Sequence, residues 1–171
     1  MIQTTRLELV PATAELLRLE INDPASLGLR LNAQVPSCWP PEEVTGVLEF
    51  FASQMDLGVT GGGWGIYYWI ALAEGGRPRT LVGSGGFMSK PAGEGNVEIG
   101  YGTLTEFQGQ GYATDAVSGL VTYALSHAGV LRVVADALLE NIASVRVLQK
   151  NDFVEAGSGA EEGMRRFERT G

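Results

Sequence analysis

Polar and apolar residues alternate from Arg6 to Val10, the period of a strand with one buried face, and Pro11 closes the run. Thr13 is placed to cap a helix over Ala14 to Ile21, with Leu16, Leu17, Leu19 and Ile21 as its apolar face and Asn22-Asp23-Pro24 as its stop. The stretch from there to Pro41 is rich in loop formers. Pro40-Pro41 followed by Glu42 and Glu43 reads as a helix start, with acidic residues near the positive end of the dipole. Val47, Leu48, Phe51 and Met55 then recur at helical spacing until Gly58. Beyond a hinge at Gly61 to Gly63, three segments read as strands: Trp64 to Ala73, Thr80 to Met88 and Asn96 to Leu104. Gly75-Gly76 makes the first turn of this meander, and a hairpin-like connection from Lys90 to Gly95 makes the second.

The pattern changes period at Tyr112. Ala113, Ala116, Val117, Leu120, Val121, Ala124 and Leu125 recur every three to four residues up to His127, and Gly129 follows as a stop. Leu131 to Leu138 reads as a buried strand, Asn141 to Lys150 as a short helix, and Phe153 to Ala156 and Met164 to Glu168 as closing strands. Early helices, a strand meander and a final helix–strand alternation describe an α+β fold around one central sheet, with residues 1–171 expected to form a single domain.

Composition narrows the classes. With 44% hydrophobic and 19% charged residues the chain falls in the globular range. No apolar run approaches the roughly 18 residues of a membrane-crossing helix, and no signal core follows the start, so a cytoplasmic location is expected. One cysteine (Cys38) and one histidine (His127) give little material for a metal centre, and none is expected. A net charge of −8 argues against a nucleic-acid partner and favours a cationic one, although acidity by itself can simply confer solubility.

The informative segment runs from Val97 through the strand Glu98-Ile99-Gly100-Tyr101-Gly102-Thr103 into Gln108-Gly109-Gln110-Gly111-Tyr112-Ala113 and the long helix. A glycine-rich turn between a strand and a helix leaves backbone N–H groups free at the positive end of the dipole, where they suit phosphate oxygens. Such a turn also occurs with no ligand at all. The dinucleotide pattern G-x-G-x-x-G fails, since Thr114 stands at its last glycine and no βαβ unit precedes it. No Gly-Lys-Ser or Gly-Lys-Thr occurs, which excludes a P-loop.

Gln108-Gly109-Gln110-Gly111-Tyr112-Ala113 resembles the Q/R-x-x-G-x-G/A pyrophosphate loop of the GNAT acetyltransferases. Glu98-Ile99-Gly100-Tyr101 and the segment Asn141 to Phe153 are similar to the ribosomal-protein-alanine acetyltransferase (RimJ/RimL-type) branch. The resemblance implies a mostly antiparallel twisted sheet of about six to seven strands with about four helices. It also implies that the strands counted fourth and fifth splay apart around acetyl-CoA. It assigns Tyr101, Gly102 and Thr103 to the pantetheine arm and Gln108, Gly109, Gln110, Gly111, Tyr112 and Ala113 to the pyrophosphate. Asn141 would bond the arm as well as cap its helix. Backbone N–H groups near Ile99 to Tyr101 would face the thioester oxygen.

For catalysis the resemblance places Glu98 as the base that deprotonates the amine, directly or through water, with Glu161 and Glu162 in reserve. Where many relatives have a proton-donating helix tyrosine this chain has Leu148, so Ser144 or water is left to protonate the departing thiolate. Asn151-Asp152 replaces the usual Leu-Gly before Phe153, and Asp tolerates the left-handed turn required there. Trp39 either lines the amine pocket or packs in the core, and His127 suits a helix end better than catalysis. The expected partner is an amine-bearing small molecule or a protein N-terminus, with neither nucleic acid nor membrane and with room for a homodimer. Two other readings stand beside acetyl transfer: a non-catalytic acetyl-CoA-binding module of the same fold and, further off, a dinucleotide oxidoreductase.

Overall fold

The computed structural model describes residues 1–40, 48–56, 62–91, 93 and 95–171. In chain order these form β1 (Ile2–Gln3), β2 (Leu7–Pro11), α1 (Ala14–Asn22), α2 (Pro24–Leu31) and α3 (Leu48–Asp56). Strands β3 (Ile66–Ala71), β4 (Thr80–Phe87) and β5 (Asn96–Thr103) make up the meander. Then come α4 (Tyr112–Leu125), β6 (Arg132–Leu138), α5 (Ile142–Lys150), β7 (Val154–Ser158) and β8 (Met164–Thr170). No described helix is long and apolar enough to cross a membrane.

The strands form one sheet in the order β1-β2-β3-β4-β5-β6-β8-β7, antiparallel at every junction except the parallel pair β5 and β6. Eight strands stand against the seven segments read from the sequence, because the two-residue edge strand β1 is too short to carry a period. Among the described residues α2 is a further helix, and it corrects the reading of residues 24–31 as loop. Pro24 had looked like a stop for α1, yet it occupies the first turn of α2, where its missing N–H costs nothing. Asp23 ends one helix and starts the next, and Asn32 closes α2 in the left-handed conformation. The predicted start of α3 at Pro41 to Val47 lies outside the described residues.

Strand β3 is buried along its whole length because each face meets a different core. Tyr67 and Trp69 turn to the face covered by α4 and α5, where they join Phe87, Val117, Leu120 and Phe167. Ile66, Tyr68 and Ile70 turn to the opposite face beneath α1 and α2, against Leu17, Leu27 and Leu81. A strand with two buried faces reads as a continuous apolar run rather than as an alternation.

This second core encloses a carboxylate. Glu20 of α1 is 5% exposed and accepts hydrogen bonds from Tyr68 Oη at 2.6 Å and Trp39 Nε1 at 2.7 Å. Burial pushes its pKa up, and the two donors pull the other way. Removing a donor leaves a buried acceptor short of a partner, which typically costs about 1–3 kcal/mol. Tyr68→Phe should therefore lower stability by about that much in urea unfolding at neutral pH. The deficit should narrow as the pH falls, because protonation of Glu20 removes the charge that the phenol was stabilising.

Candidate active site

The site is built where β5 and β6 part. They pair in parallel only at Asn96–Arg132, Val97–Val133 and Glu98–Val134. Beyond that rung β5 stays on β4 as far as Thr103, while β6 stays on β8 as far as Leu138. The Glu98 carbonyl accepts from Met88 and the Leu104 N–H donates to Val82, so even-numbered residues of β5 direct their backbone groups at β4. Strand parity then turns the backbone groups of Ile99, Tyr101 and Thr103 to the open edge.

Gly109 (φ +71) and Gly111 (φ +88) shape the loop from β5 into α4, both in the left-handed region that a Cβ disfavours. Thr13 and Asn141 cap α1 and α5 with their side chains, but α4 starts on Gly111 with no side-chain cap. Its first N–H groups therefore lack a side-chain acceptor, and the dipole of a 14-residue helix adds partial positive charge to them. The loop is braced from behind. Asp115 accepts from the Thr4 hydroxyl and from the Arg6 N–H (3.0 Å). The Arg6 guanidinium donates to the Gln110 carbonyl and lies 4.4 Å from the Tyr112 ring centroid. Gln108 Nε2 donates to the Thr103 carbonyl at 3.1 Å.

A cavity of about 340 Å³ runs from this helix terminus along the open edge of β5. Tyr101, Gly102 and Thr103 form one wall, Gln108, Gly109 and Gly111 to Thr114 the base, and Asn141, Ser144 and Val147 of α5 the other wall. The buried Thr103 Oγ1 has no hydrogen-bond partner among the described residues, an unmet polar group within that wall. An extended, anion-ended molecule with amides along its length, such as the phosphopantetheine arm of coenzyme A, fits that combination. Across the cavity Tyr101 Oη lies 3.0 Å from Ser144 Oγ, and burial raises the phenol to about 12, with the Ser144 hydrogen bond opposing the shift. Ser144 N–H is held by Asn141 Oδ1 at 3.1 Å, which realises the predicted cap.

The cavity thus gathers every residue predicted for the cofactor except Gln110, together with Ser144. The Gln110 side chain instead donates to the Glu106 carbonyl at 2.9 Å. Leu148 is fully buried and has no route to the cavity. Asp152 takes the left-handed turn (φ +61), with Asp152 N–H bonded to Gln149 and Phe153 N–H to Leu148, so the helix end survives without glycine. Trp39 does not reach the cavity: its indole bonds Glu20, its ring packs on Tyr68, and it borders a separate hollow beside α2. These contacts anchor the half-buried Trp39 to the second core while part of it lines that hollow. Glu161 and Glu162 are exposed on the β7–β8 turn. His127 bonds the Tyr123 carbonyl and packs on Trp64 at the end of α4.

Glu98 occupies the last shared rung of β5 and β6, on the sheet face opposite Val97 and Ile99 and away from α4 and α5. Burial, followed by the nearby charge of Asp136, raises its pKa, while Arg166 at 3.6 Å opposes the rise. Two features were missed in the sequence. Arg146 and Lys150 line the cavity, and their four-residue spacing beside Ala143 and Val147 was signal enough to put them on one helix face. The Asp136–Arg166 pair depends on the register of β6 and β8, which local pattern does not encode.

Comparison with known proteins agrees with this geometry. The model of the Acetyltransferase (GNAT) domain family matches residues 6–154. The uncharacterized N-acetyltransferase YjdG of Bacillus subtilis (strain 168) is 26% identical over 161 residues, covering 94% of each chain. The ribosomal L7/L12 alpha-N-protein acetyltransferase RimL, solved with coenzyme A, superposes with a TM-score of 0.64 at 20% identity, over 97% of this chain and 94% of that one. A dodecameric spermidine N-acetyltransferase from Vibrio cholerae superposes with a TM-score of 0.64 at 18% identity, again over 97% and 94%. At such identities the structural likeness speaks for the fold. The domain match across most of the chain, joined to a sheet that opens beside an uncapped helix terminus, makes this protein a GNAT-family N-acetyltransferase.

Proposed function

We propose that the protein transfers the acetyl group of acetyl-CoA directly to a primary amine. The observation that carries this reading is the continuous cavity from the uncapped start of α4 to the Tyr101–Ser144 pair. Acetyl-CoA supplies an activated thioester. The amides of residues 108–113 and the dipole of α4 hold its pyrophosphate, with Arg146 and Lys150 adding positive charge on the cavity wall. Edge groups of Tyr101 and Thr103 bond the arm as an added strand would, and an edge N–H of Ile99 or Tyr101 polarises the carbonyl. Glu98 takes a proton from the amine as the new N–C bond forms. Ser144 gives a proton to the sulfur as the C–S bond breaks and regains one from water, to which Glu98 releases the amine's proton, with Tyr101 orienting the Ser144 hydroxyl.

The acceptor is an amine on a protein N-terminus or on a small molecule. The similar structures act on a ribosomal protein and on spermidine, and the net charge of −8 favours a cationic acceptor in either form. Leu148, sealed in the core, provides no proton, which is the one feature in favour of a binding module without chemistry. Thiol release with a panel of amines separates the two readings: a module would bind acetyl-CoA and release no CoA above background hydrolysis.

Millimolar acetyl-CoA should raise the melting temperature, since a ligand bound only by the folded state stabilises it by mass action. Gly111→Val should remove most of that shift, because a β-branched residue resists the φ of +88 on which the loop turns. No shift for the unaltered protein would overturn the reading.

Glu98→Gln should slow turnover by about 100-fold with acetyl-CoA binding little changed, as loss of a general base does. The acid limb of kcat/KM should lie above the usual carboxylate range, following the raised pKa of Glu98. Ser144→Ala should have a smaller effect, because water can also protonate a thiolate.

A further inference from the structure

Glu98 does not stand alone on its face of the sheet. Arg166 of β8 reaches across β6 between two carboxylates. Its Nε and Nη2 donate to Asp136 Oδ1 and Oδ2 at 2.8 and 2.9 Å, a bidentate pair, and the same Nη2 lies 3.6 Å from Glu98 Oε2. Asp136 Oδ2 also accepts the Ala160 N–H at 2.7 Å. Ala160 opens the turn that carries Glu161 and Glu162. The approach there is close: a Cβ on Gly159 would stand 3.1 Å from Asp136 Cγ.

The exposures differ in a way that assigns roles. The Asp136 side chain is 7% exposed and makes three hydrogen bonds, so it is fixed, and it fixes Arg166. The Glu98 side chain is 41% exposed and meets the guanidinium only at ion-pair distance. A cation satisfied by another carboxylate can hold Glu98 near the parting of the strands without saturating its oxygens, which a proton acceptor must keep open.

We propose that Arg166 and Asp136 are positioning residues for Glu98, holding its carboxylate beside the opening of the sheet and joining it to the β7–β8 turn. This rests on the reading of Glu98 as the base. On the same face Arg132 of β6 and Glu168 of β8 pair with each other at 3.1 Å, and Glu8 of β2, across from Ile70, pairs with Arg79. From the β4 side Glu98 meets Met88, which is uncharged.

The two partners act on Glu98 with opposite signs, and a merely structural pair would not reproduce that. Asp136 raises its pKa and Arg166 lowers it. Arg166→Met removes the lowering influence and should move the acid limb of kcat/KM to higher pH. Asp136→Asn keeps a hydrogen-bond acceptor for Ala160, removes the raising charge and frees Arg166 for Glu98, so the limb should move to lower pH. Arg166→Met should also lower the plateau of kcat/KM by about tenfold through misplacement of Glu98. Arg166→Lys, which restores the charge, should bring the limb back toward its original position.

The experiment is a set of pH profiles on the full chain with one reactive amine, alongside the acetyl-CoA thermal shift to confirm that each variant is folded. Opposite displacements support the proposal. Limbs that stay put, or move together, in folded variants overturn it when Glu98→Gln is still slowed by about 100-fold. A Glu98→Gln variant that turns over normally overturns the base reading itself.

Discussion

Two strands that begin as hydrogen-bonded neighbours and then stop pairing create everything else in this site. Each residue of β5 past Glu98 presents either to β4 or to an empty edge, and a backbone edge without a partner is a demand for hydrogen bonds. The protein does not fill that edge with another strand. It sends β6 to β8 and lays α5 across the gap, leaving a slot with backbone groups on one side and Ser144 on the other. The parting of the strands places the slot, and side chains then line it.

The parting also separates two kinds of chemistry. Tyr101 and Ser144 meet on the face covered by α4 and α5, where burial keeps the phenol protonated. Glu98, Asp136 and Arg166 share the other face, where charges are partly hydrated and the carboxylate stays tunable. The sheet lies between the two groups, and they come nearest one another at its opening, where β5 and β6 stop pairing.

What the sequence discloses about such a protein follows from how local each cause is. The loop at Gly109 and Gly111, the Asn141 cap and the tolerance of Asp152 for a left-handed turn each depend on a few consecutive residues, and all could be read directly. Residues 24–31 misled for a local reason too: the same Pro24 that ends one helix can begin another, and which it does depends on the packing of Leu27 and Leu31 beneath the sheet. The environment of the loop residue Trp39 depends on Glu20 of α1, and the neighbours of Glu98 on the register of β8, some seventy positions later in the chain. Contacts of that range follow from topology, which a single sequence expresses only after folding.

The hairpin turn at Thr4 and Arg6 is a small feature with a long reach. Its hydroxyl, amide and guanidinium all end on the first turn of α4 or on the loop before it, so the turn between β1 and β2 serves as a backstop for the glycine-rich loop. Edge strands are ordinarily where a fold is most forgiving of fusion tags, trimming and chance substitution. In this protein that tolerance is spent: an affinity handle or a proteolytic nick beside Thr4 or Arg6 would reach the start of α4, while leaving the far half of the sheet, with Glu98, Asp136 and Arg166, undisturbed.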